Sequence, residues 1–515
     1  MKLNYKRTIL VGFAFFLISA FWQAYDAIIP LALTNHFGLD QFWSGAIMAL
    51  DNILAVFMLP IFGAISDKVN TKFGKRTPFI LVGTVLAIIS FVALSVIDGI
   101  QLDAIANSDI PQLYAETEAM RKEAYELMAE ARHAGDASLV EVATAKLEEV
   151  DAKFVEIAAM TFEYTKEGIG LLVGFIGVLL MVLISMATFR SPAVALMPDV
   201  TIKPLRSKGN AIINLMGTAG GIIVLVLGML FKTNKIYMSY VGYVTAVVSV
   251  MAAGLIIFLL TVKEKQWSEE MAEETKRLGL DEEANEEKKE DNGVRIIAEK
   301  KDGKLVKQGG LSKEQFTSLM LILASVALWY IGYNSITSKY SVYATRELGF
   351  SYNETLIIAQ AAAIVAYIPV GIISSKIGRK KAILSGIVML TAAFTLGNFV
   401  TPITPSTLMY PIFILAGIGW ATINVNSFPM VVELAKGTDV GKYTGYYYTA
   451  SMAAQIVAPM LSGALYNVFG MRNVFFIFGA IFVALSFVTM FFVKHGDSRP
   501  DAKSVVEDAL AGGDD

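Results

Sequence analysis

The sequence predicts an all-α membrane protein: twelve transmembrane helices in two pseudo-symmetric six-helix bundles, with a helical hairpin inserted outside the membrane. Three observations carry this. The chain is 55% hydrophobic and only 17% charged over 515 residues, where soluble domains carry about 25% charge. Apolar runs reaching the roughly 20 residues needed to cross hydrocarbon recur twelve times. A loop motif that follows the second run returns after the eighth, so the chain divides six and six. Such a composition argues against a soluble enzyme, a nucleic-acid binder or a disordered scaffold. The absence of cysteine excludes a disulfide framework, a thiolate metal site and a cysteine nucleophile. His36, His133 and His495 lie too far apart in sequence to suggest a metal motif.

The spans read as 9–33, 43–66, 77–97, 168–198, 208–230, 237–262, 316–338, 352–375, 382–401, 408–433, 443–466 and 473–494. They must be helices, because an open chain in lipid has to satisfy every backbone N–H and C=O within its own segment. The first is not a cleaved signal peptide: it carries Trp22, Gln23 and Asp26 and leads straight into a second span. Basic residues crowd the loops after the even-numbered spans, at Lys68, Lys72, Lys75 and Arg76, at Lys203, Arg206 and Lys208, at Lys376, Arg379, Lys380 and Lys381, and at Lys436 and Lys442. The opposite short loops hold Lys232, Lys235, Lys339, Arg346 and Arg472. The asymmetry predicts a multi-pass protein of the cell membrane with both termini in the cytoplasm.

Three segments lie outside the membrane. Residues 98–167 hold sixteen acids against six Lys or Arg, and read as an external hairpin, Leu113 to Ala134 and Leu139 to Tyr164, broken at Gly135-Asp136. Residues 263–315, with fifteen acids and twelve bases, read as a cytoplasmic linker, part helix and part disordered. The tail, 495–515, is polar. The expected domains are therefore an N-terminal bundle, 1–262, the linker, a C-terminal bundle, 316–494, and the tail.

The repeated motif reads Gly63-Ala64-Ile65-Ser66-Asp67-Lys68 and then Phe73-Gly74-Lys75-Arg76 in the first half. In the second half it reads Gly371-Ile372-Ile373-Ser374-Ser375-Lys376 and then Ile377-Gly378-Arg379-Lys380-Lys381. Topogenic charge explains the bases but not the recurring glycine and serine. Glycine lets helix ends approach, and a carboxylate with following bases can cap neighbouring helices and cross-link one face. Parallel six-helix repeats of this kind build a large class of secondary transporters.

On these residues the chain resembles the major facilitator superfamily. Pro60 to Asp67, continuing through Phe73-Gly74-Lys75-Arg76-Thr77-Pro78, is similar to the sucrose/proton symporter-like and glycoside–pentoside–hexuronide:cation symporter families. Arg190-Ser191-Pro192 through Met197-Pro198-Asp199, followed by Arg206-Ser207-Lys208-Gly209-Asn210, supports the same placement. The resemblance covers the twelve spans but not 98–167. It implies a major facilitator fold and cation-coupled uptake of a glycoside or disaccharide.

Charge inside a span is costly and needs a reason. Asp26 and Asp51 sit about 8 Å and about 5 Å outside the middles of the first two spans, so adjacent antiparallel helices can bring them to similar depth. Desolvation and a neighbouring carboxylate suit such acids to proton binding, which makes them the candidate proton-coupling sites. Bland alternatives remain: Asp26 hydrogen-bonded near the mouth to Gln23 or Tyr25, and Asp51 in a packing bond with Asn52. Arg190 lies toward the cytoplasmic side of the fourth span. The resemblance implies that the sodium-binding acids of the melibiose-permease branch match Ala55, Leu59 and Arg190, none of which is acidic. A guanidinium in that position repels a cation and cannot deprotonate, so a melibiose-permease-type sodium site is not expected. The acid that plant sucrose carriers hold near Leu183 is missing too. Arg190 is left to fork hydrogen bonds to sugar hydroxyls or to hold a carboxylate. No cofactor or metal is expected, and the proton is the expected coupling ion.

A sugar needs aromatic faces and planar hydrogen-bonding groups. Amides within hydrocarbon need partners and should face a central cavity. The substrate-binding candidates are therefore Trp22, Gln23, Arg190, Asn214, Tyr330, Tyr333, Asn334, Gln360, Trp420, Asn424, Tyr447 and Gln455. At the cytoplasmic ends, Gly63, Asp67, Gly74, Lys75, Arg76, Asp199, Arg206, Gly371, Arg379 and Glu433 form the expected gate, its charges holding the inner face closed while the outer is open. The expected function is proton-coupled sugar symport by alternating access, with the sugar and the lipid bilayer as partners and no nucleic acid. An uncoupled sugar facilitator, a multidrug/proton antiporter and a sugar sensor signalling through 263–315 are the alternatives. No intramembrane set of groups supports an enzyme.

Overall fold

The computed structural model describes residues 3–202, 205–277, 300–301, 304–305, 313–434 and 440–496. Most of the predicted linker and tail, and the side chain of Arg206, lie outside the described residues. Among the described residues the regular structure is helical, apart from a two-residue antiparallel pairing of Lys300–Lys301 with Lys304–Leu305. In order, the helices are α1 (Tyr5–His36), α2 (Gln41–Lys68), α3 (Thr77–Ala106), α4 (Ile110–Ala134), α5 (Ala137–Glu167), α6 (Ile169–Asp199), α7 (Arg206–Phe231), α8 (Val241–Thr261) and α9 (Glu264–Arg277). After the linker follow α10 (Lys313–Leu348), α11 (Tyr352–Ile377), α12 (Arg379–Gly397), α13 (Met409–Val432), α14 (Val440–Phe469) and α15 (Met471–Phe491). Among the described residues, eleven helices are long and apolar enough to cross a membrane. The predicted twelfth, α11, is 26 residues long but is not among them. It carries Asn353, Glu354 and Gln360 along its first half and packs on α13 and α7.

The packing repeats between halves. In the first lobe α3 lies on α6, α2 on α6, α1 on α7, and α8 on both α1 and α3. In the second, α12 lies on α13, α11 on α13, α10 on α14, and α15 on both α10 and α12. The two lobes meet where α2 crosses α14 and α7 crosses α11, and these pairs exchange under the same pseudo-symmetry. Small residues permit the crossing. A Cβ on Gly45 would strike the Pro459 carbonyl, and one on Gly463 would strike the Gln41 carbonyl. Close backbone approach is how helices associate where lipid offers no hydrophobic gain.

The hairpin differs from its predicted limits. α3 runs on to Ala106, so residues 98–106 belong to the membrane helix and not to the insertion. The reason is tertiary: Asp98 and Gln101 are buried and find partners on other helices. Asp98 meets His36 Nδ1 at 2.7 Å, His36 Nε2 meets the Ile236 carbonyl at 3.0 Å, and Gln101 donates to the His36 carbonyl and to Thr165. Both ring nitrogens of His36 face acceptors, so the arrangement suits an imidazolium donating from each. Gly135 ends α4 in the left-handed conformation at φ +68°, and Asp136 caps α5 by accepting from the Ser138 and Leu139 amides. The hairpin does not stand alone. Arg121, 4% exposed, lies over the Phe154 ring and pairs with Glu347 of the second lobe at 3.8 Å. Asp151 still touches water, yet partial loss of hydration and then Glu347 push its carboxyl up to about 6.

One end of the bundle thus carries the hairpin and the other the start of α1 and the end of α15; we call them the hairpin face and the terminal face. Hydrogen bonds that join the lobes gather from mid-depth to the hairpin face. They include Gln41 N–H to Asn467 at 3.0 Å, Lys339 Nζ to Ser44 at 2.6 Å, Ser341 to the Asp26 carbonyl at 3.4 Å, Asn353 to Thr233 at 3.1 Å, Thr233 with Tyr352 at 2.7 Å, and Gln360 to Gln23 at 2.6 Å. The lobes are closed at the hairpin face. Because the α2–α14 crossing admits no side chain at Gly45, Gly45→Leu is expected to hold this face apart while leaving each lobe folded. Distances between spin labels on the two lobes would lengthen at the hairpin face; an unchanged distance would show that the crossing does not set the closure.

Candidate functional site

The predicted substrate and proton residues fall into three groups. On the first lobe, Trp22, Gln23 and Asp26 share one face of α1 by their three- and four-residue spacing. That face is the lobe interface, since Gln23 accepts from Gln360 of α11 and Ser341 of α10 reaches the Asp26 carbonyl. Asp26 is open to water while Tyr25 and Ala27 beside it are buried. The Arg190 guanidinium lies 5.7 Å from the Trp22 ring centre, so the long side chain does extend toward α1. Asp51 is half-buried, close enough to interact electrostatically with both Asp26 and Arg190. One Asp51 oxygen accepts from the backbone and side-chain amides of Asn52, at 2.5 and 2.8 Å. Asn214 on α7 is half-buried.

On the second lobe, Tyr333 and Trp420 stack face to face, ring centres 3.7 Å apart and 5° from parallel. Asn334, Gln360, Asn424 and Gln455 are half-buried, and Asn334 donates to the Tyr330 carbonyl one turn earlier at 2.9 Å. The third group departs from expectation. Tyr330 and Tyr447 are each 2% exposed and do not present a surface to a ligand in this conformation. Tyr447 bonds Ser427 at 3.0 Å, and the Tyr330 ring packs edge-on against Trp420. Their hydroxyls and large rings fill the α10–α13–α14 seam, which is packing work. A small cavity lies in the first lobe between Ile28, Phe91, Ser95, Asp98, Phe175 and Tyr240; its lining comes from that lobe alone, so it is not the chamber expected between the lobes.

The predicted gate residues form two corners at the terminal face. Arg76, 5% exposed, donates from Nε to Asp199 at 2.7 Å, from Nη2 to Asp67 at 2.5 Å, and from Nη1 to Ser66. Burial alone would favour losing its charge, but Asp199 and Asp67 outweigh that and hold the guanidinium above its ordinary value. In the second lobe Arg379 donates to Glu433 at 3.0 Å, the same α3–α6 pairing repeated between α12 and α13. The recurring glycine has a physical cause: Gly74 at φ +118° and Gly378 at φ +93° occupy backbone that other residues avoid. Gly63 faces Ser191 of α6 so closely that a Cβ would crowd the hydroxyl, and Gly371 is buried. The Lys75 side chain is exposed and joins neither corner. Each ion pair lies within one lobe. Among the described residues neither corner pair, Arg76–Asp199 or Arg379–Glu433, bridges the lobes; the expected gate acts when the hairpin face is open, and here that face is closed.

The residue that organises the first corner was not foreseen. Glu264, at the start of α9 and 3% exposed, accepts from the amides of Lys75, Arg76 and Thr77 at 2.6, 2.8 and 2.7 Å and from the Thr77 hydroxyl at 2.7 Å. Those amides are the unpaired donors at the start of α3, where a carboxylate is favoured twice over. In sequence it was one acid among the fifteen of the linker. Losing this cap in Glu264→Ala is expected to cost about 1–2 kcal/mol, read as a lower unfolding temperature in detergent, with Glu264→Gln intermediate. An unchanged melting curve for Glu264→Ala would remove the capping role.

Comparison with known proteins follows this geometry. The model of the Major Facilitator Superfamily matches residues 158–421 and 355–511, and that of MFS/sugar transport protein matches 10–96. A "Multi-drug resistance efflux pump PmrA homolog" of Lactococcus lactis is 37% identical over 78 residues, 15% of this chain and 19% of that protein, so the match spans about a fifth of the relative's length. Among solved structures, the inward open xylose transporter XylE of E. coli superposes with a TM-score of 0.58 at 12% identity, covering 96% of this chain and 97% of that one. A D-xylose-proton symporter gives 0.57 at 13%, over 96% and 99%. A bacterial homologue of the iron transporter ferroportin in an inward-facing state gives 0.54 at 11%, over 95% and 99%. At such identities these structures speak for the fold alone. A single superfamily match that covers more than half of the residues, on a fold of two six-helix lobes, makes this chain a member of the Major Facilitator Superfamily and a multi-pass membrane transporter.

Proposed function

We propose that this transporter moves a sugar, a disaccharide or glycoside, between its lobes, and that uptake is coupled to protons. The observation that carries the reading is the Gln23–Gln360 bond between lobes at mid-depth, with Asp26, Asp51, Arg190 and Trp22 on one side of it and the Tyr333–Trp420 stack on the other. Planar amides suit hydroxyls, and an indole face suits the C–H surface of a pyranose. Substrate entry replaces the bond between two glutamines with bonds to hydroxyls, so little polar bonding is lost when the lobes part. The match of residues 10–96 to a sugar-transport model supports the same substrate class.

The lysine and arginine asymmetry of the loops assigns the terminal face to the cytoplasm of the cell membrane. Closure at the hairpin face then makes the present conformation inward-facing. In it the Arg76–Asp199 and Arg379–Glu433 pairs are held within their own lobes. Rocking outward brings the corners together and lets them exchange partners, a switch that needs no new fold. Asp26 and Asp51 carry the coupling proton, because two interacting carboxylates beside a fixed guanidinium share charge most readily with one proton between them. The arrangement of Arg190 over Trp22 gives no support to a sodium ion there.

An aromatic, acid-bearing interface also suits an organic cation, and the short resemblance to a multidrug pump points the same way. Uptake of a panel of labelled disaccharides into vesicles, with and without an inward proton gradient, separates the readings. Sugar accumulation driven by the gradient is expected. Asp26→Asn combined with Asp51→Asn should abolish accumulation yet leave sugar exchange. Gradient-driven accumulation that survives the double substitution would end the proton assignment, and expulsion of organic cations without sugar uptake would end the sugar assignment.

A further inference from the structure

Lysine is almost never fully buried unless it is paired with an acid. Lys339 breaks that rule. It sits on α10 near the hairpin face, 0% exposed, and the polar contact of its amine among the described residues is one neutral hydroxyl, Ser44 Oγ of the opposite lobe, at 2.6 Å. Ser44 is itself 0% exposed. The next residue, Gly45, is where α2 touches the Pro459 carbonyl of α14. The amine is therefore enclosed by the crossing that closes the hairpin face, and any separation of α2 from α14 lets water reach it. The charged groups that face it are Asp40, just before α2, and Arg346, on its own helix. Neither lies within ion-pair distance of it among the described residues.

We propose that Lys339 makes closure of the hairpin face depend on protonation: the face closes over the neutral amine and opens around the ammonium. An ammonium presents three N–H donors, and the closed site offers it one acceptor and, among the described residues, no counter-charge within ion-pair distance, so a charged Lys339 loses its hydration with little compensation. A neutral amine is content with the same site, because its lone pair can accept from the Ser44 hydroxyl. When the face opens, water hydrates the amine, which takes up one proton. When it closes, that proton returns to water on the same side. Lys339 is thus a positioning residue that sets which face is open at a given pH, distinct from the carboxylates assigned to coupling. The inference rests on the two-lobe carrier reading but not on the identity of the substrate.

One proton separates the two states, so the ratio of open to closed should rise up to about tenfold for each pH unit by which pH falls. The chain contains no cysteine, and Lys235 and Ser406 are exposed at the hairpin face on opposite lobes. Lys235→Cys with Ser406→Cys therefore supplies a single spin-label pair in the full-length protein. In nanodiscs without substrate, from about pH 6 to about pH 10, the longer distance should gain population as pH falls. Lys339→Met should abolish the slope and keep the face closed, and Lys339→Gln should also abolish the slope. Lys339→Arg, which cannot lose its charge, should hold the face open throughout. Asp40→Asn should retain the slope, and Arg346, always charged, cannot supply one. A flat profile in the otherwise unaltered protein, or a slope that persists in Lys339→Met or Lys339→Gln, would overturn the proposal. So would a slope lost in Asp40→Asn and kept in the Lys339 variants. Because no sugar is present, its failure leaves the transport reading to be judged by uptake alone.

Discussion

Hydrocarbon offers no hydrogen bond, and the rest of this structure follows from that. It forces the backbone into helices, and it makes a polar side chain within a helix costly unless it finds a protein partner or water. The outer surfaces of the lobes are left to Leu, Val, Ile and Phe, which the structure exposes in quantity along α3, α6, α8 and α15. The polar groups are driven to the seam between lobes, to the helix ends, or into pairs such as His36–Asp98. A seam made polar by this constraint is also a seam that can part, since its bonds are of the kind that water or a hydroxylated ligand can replace.

The two lobes use a common device at the terminal face, an arginine that follows a glycine of positive φ at the start of one membrane-spanning helix and reaches an acid at the end of the next membrane-spanning helix. Arg76 with Asp199 and Arg379 with Glu433 are two copies of it. The copies are unequal. The first lobe adds Asp67, Ser66 and the Glu264 cap, which ties the α2–α3 loop to the helix that begins the linker. The second lobe has Ser375 where the first has Asp67. The first corner is thus cross-linked to three helices and the linker, so the connection between halves leaves the first lobe from a fixed point.

Closure at the hairpin face rests on different chemistry. The α2–α14 crossing is held by backbone proximity at Gly45 and Gly463, and the α7–α11 crossing by Thr233, Tyr352 and Asn353 around Gly228. These contacts are neutral, and Lys339 is the charge enclosed among them. The inserted hairpin adds a further bridge, from Arg121 to Glu347 across the lobes. Among the described residues the terminal face carries ion pairs made within each lobe, whereas the hairpin face joins the lobes through close backbone crossings, neutral hydrogen bonds and the single Arg121–Glu347 pair.

Much of this was legible in the chain alone. Hydropathy located the helices because burial in lipid is an additive, local property of some 20 residues. The repeated loop of glycine, serine and bases marked both corners, because a glycine of positive φ and an arginine at a helix start leave their mark within a few residues of one another. Asp26 and Asp51 could be singled out because charge in an apolar run is conspicuous. Helix ends were less secure: α3 continues to Ala106 because His36 and Thr165, remote in sequence, satisfy its Asp98 and Gln101. Partnership across the fold also decided that Tyr330 and Tyr447 are buried in this conformation, that Glu264 caps α3 and is no mere linker charge, and that Lys339, counted from sequence as a loop base, is enclosed between lobes. Segment-by-segment chemistry belongs to the sequence, whereas which groups lose their water, and which of the two faces is closed, depend on how distant helices come together and so exist only in the folded molecule.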